Sequence, residues 1–186
     1  LERTDPIAMA VIDDRNGPET GEVSLCEAVC VGRIARVEQL PSGRFNLLLH
    51  GLCRARIDEL DPPADERLHL RAWLRPIEPD FQSAPPLPDA RRAIRSLLGN
   101  PRLRRLTSAG MATAWLDRDD LPTSVVLDLI GFAVLRDEAI RYRLLEQGDC
   151  RRRAETVTRE LQMLDRLVAQ TDLQNHADWP KGLSWN

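Results

Sequence analysis

The sequence predicts an α+β chain in which strands come first and helices second. Three observations carry this. Apolar residues alternate with polar ones, with period two, through the first part of the chain. A proline cluster then intervenes: Pro76, Pro79, Pro85, Pro86 and Pro88. Beyond it, apolar residues recur at steps of three and four, the period of a helix with one buried stripe.

Residues 7–12 read as a first strand. Ile7, Met9 and Val11 share one face and Ala8, Ala10 and Ile12 the other, so both faces are expected to be buried. The polar run Asp13-Asp14-Arg15-Asn16-Gly17-Pro18 is a turn-rich loop. A second strand covers residues 29–38, with Arg33 as a polar interruption and Gly32 marking a bulge or close backbone approach. Leu40-Pro41-Ser42-Gly43-Arg44 is a tight connection, and Phe45, Leu47 and Leu49 then alternate with Asn46, Leu48 and His50. Two strands joined this closely form an antiparallel hairpin. Gly51 is expected to bend the chain before Cys53, Ala55 and Ile57 alternate with Arg54 and Arg56 in a half-exposed strand. Asp61-Pro62-Pro63 breaks that run. Leu68, Leu70, Ala72 and Leu74 form a further strand.

Proline cannot donate to a sheet ladder and stops helices, so the segment after Pro76 is a linker. Asp89 is placed to cap a helix through Ala93, Ile94, Leu97 and Leu98, ended by Gly99-Asn100. Pro101 suits the start of a second helix carrying Leu103, Leu106, Gly110, Ala114 and Trp115. Pro122 opens a third, with Val125, Val126, Leu129, Ile130, Ala133 and Val134, and with Gly131 allowing a close helix contact. A fourth starts at Asp137 or Glu138 and stops at Gly148. Asp149 caps the last helix, whose apolar positions are Cys150, Ala154, Val157, Leu161, Leu164 and Val168. Their steps alternate four and three, which is heptad spacing. Past Thr171 the pattern decays into a polar tail with Trp179 and Trp185. The resulting division is a β-rich part over 1–76, a Pro-rich linker over 77–88, a helical part over 89–170 and a tail over 171–186.

Composition narrows the function. Apolar residues make up 42 % and charged residues 30 %, ordinary for a folded globular chain. No apolar run approaches the ~20 residues of a membrane span. The chain opens on Leu1, as a fragment would, and shows no basic-then-apolar leader. The net charge of −3 offers no electrostatic footprint for nucleic acid. Lys181 is the only lysine and lies in the tail, which argues against a phosphate-binding loop lysine, a Schiff base or a Ser–Lys pair. Cys26, Cys30, Cys53 and Cys150 read as free thiols of a reducing, cytoplasmic compartment. Cys26 and Cys30 lack the further ligands zinc needs, and His50, His69 and His176 do not supply them. No metal, cofactor or catalytic set is expected.

Two stretches carry a family resemblance. The first is Val31-Gly32-Arg33-Ile34-Ala35, then Gly43-Arg44-Phe45-Asn46, then Gly51-Leu52-Cys53-Arg54-Ala55-Arg56-Ile57. The second is helical: Leu127-Asp128-Leu129, then Arg143-Leu144-Leu145-Glu146, continuing to Arg153-Ala154 and Leu161. In this order and spacing they resemble the N-terminal domain of the Lon protease family, over roughly residues 7–168. The resemblance implies a PUA-like pseudobarrel joined to a helical bundle. It also implies a non-catalytic role in recognising exposed polypeptide segments, with a protease or chaperone as partner. The chain departs from the family in two ways: the Pro- and Leu-rich strand segment that precedes the stretch matching Ile7 is missing, and the ATPase and peptidase parts are absent. The alternative function is nucleic-acid binding, since PUA-like folds also host it. Few aromatics and net acidity count against that.

Within this reading, Trp73, Met111 and Trp115 are the candidate peptide-binding residues, because large apolar side chains on open faces mark binding surfaces. Taken singly, an ordinary core position is the favoured reading for each. The heptad stripe could build a weak homodimer, but packing against the chain's own helices is the favoured reading. Arg151-Arg152-Arg153, like Arg102, Arg104 and Arg105, read as a solvated face, and Asp13-Asp14 and Asp119-Asp120 as turn and capping residues.

Overall fold

The computed structural model describes residues 6–13, 24–61, 69–77 and 85–173. The sequence readings at residues 14–18, Pro62, Pro63, Leu68, Pro79, His176, Trp179, Lys181 and Trp185 lie outside them. The elements run β1 (Ile7–Met9), β2 (Ala28–Gln39), β3 (Phe45–Leu60), β4 (Ala72–Pro76), α1 (Pro88–Gly99), a 3-10 turn (Leu103–Arg105), α2 (Ala109–Leu116), α3 (Thr123–Val134), α4 (Glu138–Glu146) and α5 (Cys150–Leu173). This is the α+β order that the patterning predicts. The chain forms two compact units. One joins residues 1–83 to 138–149, so α4 groups with the sheet; the other joins 84–137 to 150–186.

The sheet unit is an antiparallel meander in the order β1-β2-β3-β4. Register follows the alternation. Val29 pairs with Ala55, Val31 with Cys53, and Ile57 with Leu74. These side chains form one cluster around buried Val29, Val31 and Ala55. Burying a valine contributes about 1.5–3 kcal/mol. Where Gly32 pairs with Gly51 the register shifts. A Cβ on Gly32 would stand 2.9 Å from the His50 carbonyl oxygen, so the close approach inferred for Gly32 is present. β3 runs straight through Gly51 rather than breaking there, because the irregularity is absorbed as a bulge within the ladder. The hairpin closes with Gly43 at φ +80, and its N–H donates to the Leu40 carbonyl at 3.0 Å.

The edges of the sheet differ from expectation. β1 is short, and Met9, Val11 and Ile12 are exposed, so the two buried faces expected of residues 7–12 are not found. Ile12 makes only an isolated bridge, to Leu25. β4 begins at Ala72 and includes Pro76, which an edge strand tolerates because its outward N–H has no ladder partner to lose. α4 is tied to the sheet by Tyr142, whose hydroxyl accepts the Ala28 N–H at 2.9 Å. Burial is the main influence pushing the Tyr142 phenol above its ordinary pKa. Gly148 lets the chain leave α4 past Ile77: a Cβ there would stand 2.8 Å from Ile77 Cγ2 and 3.0 Å from its carbonyl oxygen.

In the helical unit the core is built from Ile94, Leu98, Leu103, Leu116, Val126, Leu127, Ile130, Val157 and Leu161, all essentially inaccessible. α5 packs against α1 and α3. Cys150, Ala154, Val157 and Leu161 of its stripe are buried, and Leu164 and Val168 are half-buried. The stripe is thus consumed largely within its own unit. The helix expected from Pro101 to Trp115 is divided into the 3-10 turn and α2, because Leu106 adopts an extended conformation between them. α1 is preceded by Leu87 at φ 43, with Pro88 opening the helix, so Asp89 lies in the first turn rather than at the cap. There it meets the helix dipole and pairs with Arg92. Arg91 closes the far end of α2 and the turn beyond it, donating to the carbonyls of Leu116, Arg118 and Leu121, each at 2.9 Å. Arg153 departs from the solvated-face reading. It is fully buried, with Nε 3.9 Å from Asp128 Oδ1, whereas Arg151 and Arg152 are exposed. Arg102 is also engaged, bonding Asp165 at 3.0 Å. Asp120 forms a local ion pair: Arg118 donates to it and holds its carboxyl below the usual range. α5 runs on to Leu173, into the span read as tail.

Candidate polypeptide-binding surface

β1 pairs with β2 only at residues 30–32, and β4 pairs with β3 only from Ala55 onward. Residues 33–39 of β2 and 45–50 of β3 therefore pair only with each other among the described residues, as a two-stranded arm. Its sequence is apolar along one face. Val37 stands opposite Leu47, and Ile34 opposite Leu49, with Phe45 two residues along from Leu47. A register shift between Ile34 and Arg36 admits Ala35 as the extra residue and keeps this row aligned. Val37 is 42 % exposed, Phe45 56 % and Leu47 51 %. Exposed β-branched, aromatic and leucyl side chains in one contiguous row form a patch of the kind that binds partners. The other face of the arm pairs Arg33 with His50 and Arg36 with Leu48, all four exposed.

The sequence-predicted residues are distributed over both units. Trp73 lies on β4 opposite Glu59 and is 69 % exposed. Its neighbour Leu74 packs on the core cluster, so alternation turns Trp73 outward. Met111 and Trp115 belong to the helical unit. They stand four residues apart on α2, hence on one face, with Met111 exposed and Trp115 half-buried. Val37, Phe45 and Leu47 were not singled out from sequence. Their alternation is the same whether the row faces a core or solvent, and only their exposure in the folded chain shows that it is open.

The helical unit also carries an open groove of about 620 Å³, lined by Pro85, Pro86 and Leu87 on one side and by Arg151, Ala154 and Arg159 of α5 on the other. Thr123 of α3 anchors its proline wall by donating to the Pro86 carbonyl. Among the described residues, no group of three or more His, Cys, Asp or Glu is placed to hold a metal ion. Cys26, Cys30, Cys53 and Cys150 are free thiols. No helix of the described residues is long and apolar enough to cross a membrane.

A four-stranded antiparallel sheet followed by helices that end in the long α5 fits the α+β architecture the resemblance implied. Residues 1–163 match the family described as the ATP-dependent protease La (LON) substrate-binding domain. The chain belongs to the Lon substrate-binding domain family. Two solved structures share the fold. The N-terminal domain of Mycobacterium avium complex Lon protease superposes with a TM-score of 0.59 at 18 % identity, covering 86 % of this chain and 90 % of that one. A Lon N-terminal domain protein from Xanthomonas campestris superposes with a TM-score of 0.53 at 20 % identity, covering 83 % and 88 %. No curated protein matches the chain.

Proposed function

We propose that this Lon substrate-binding domain is a non-catalytic recognition module that grips exposed apolar segments of polypeptides. The observation that carries the reading is the open row of Val37, Phe45 and Leu47 on the two-stranded arm. An apolar row of this kind gains from covering any unfolded segment that offers large apolar side chains. It requires no cofactor. Trp73, and Met111 with Trp115, are proposed as further contacts for the same class of ligand. The natural partner is a protease or chaperone that receives the captured chain, in a reducing, cytoplasmic setting suited to four free thiols.

The test is retention of an array of unfolded peptides by the purified chain, with single-stranded RNA and duplex DNA as controls. Apolar peptides should be held, with little change across a salt series. Retention of nucleic acid alone, falling steeply with salt, would replace this reading with the nucleic-acid one.

A further inference from the structure

We draw no further inference here: the strongest candidate, the open groove between Pro85-Pro86-Leu87 and α5, carries the opposite charges of Arg151, Glu155 and Arg159 along one wall, and nothing in the structure shows what covers it.

Discussion

Val37 and Leu47 stand directly opposite one another on β2 and β3, yet each keeps roughly half its surface in solvent. A cross-strand pair of this kind ordinarily belongs to a core face. Here neither side chain is covered by the described residues, which leaves an apolar row to partners.

Because the row is already exposed, polar replacement should cost little stability. Phe45→Ser and Leu47→Ser should each change the unfolding free energy by no more than about 0.5–1 kcal/mol in urea titrations, while lowering the affinity for apolar peptides. A loss of several kcal/mol would show that the row is core.

Tyr142→Phe removes the acceptor for the Ala28 N–H and should destabilise the chain by about 1 kcal/mol. The phenol's pKa is raised in the folded state, so folding favours the protonated form. Its contribution is fully present below the ordinary tyrosine pKa and is lost as pH rises through the folded-state value. Stability measured from neutral to alkaline pH should therefore fall less in Tyr142→Phe than in the parent.

Gly148→Ala places a methyl against Ile77 and should cost about 1–3 kcal/mol. The companion Ile77→Ala removes the Cγ2 contact but leaves the backbone carbonyl in place. The double variant should therefore show partial recovery in a thermodynamic cycle, and full additivity would place the strain elsewhere.

Arg91→Ala removes a donor from each of three carbonyls at and beyond the end of α2, of which Leu116 keeps Arg95 and Arg118 keeps the Leu121 N–H, and should cost about 1–3 kcal/mol. Arg91→Lys should restore only part of this, because an ammonium cannot reproduce the planar fork. Equal stability of the two variants would show that the geometry of the fork is unimportant.

Much of the architecture was legible in the sequence. The hairpin follows from the alternation on either side of Gly43, and the α5 stripe from its four–three spacing. The helix boundaries at Gly99 and Pro122 follow from residues that stop or start helices locally. What escaped depends on tertiary context. Arg153 belongs to an arginine run that looks solvated, and only the packing of α3 against α5 buries it beside Asp128. The association of α4 with the sheet rests on Tyr142 meeting a backbone N–H 114 residues away, and no local pattern encodes that. The candidate site was harder still. Trp73 and Met111 are exposed, but the row through Val37, Phe45 and Leu47 is visible only once the folded chain leaves it uncovered.

The most direct test of the central claim is calorimetric titration of one apolar, unfolded peptide into the parent chain and into a V37S/F45S/L47S variant of matched stability. The account predicts binding by the parent with a negative heat-capacity change, and at least about tenfold weaker binding by the variant. Equal affinity of the two chains would contradict it and move the recognition surface away from the arm.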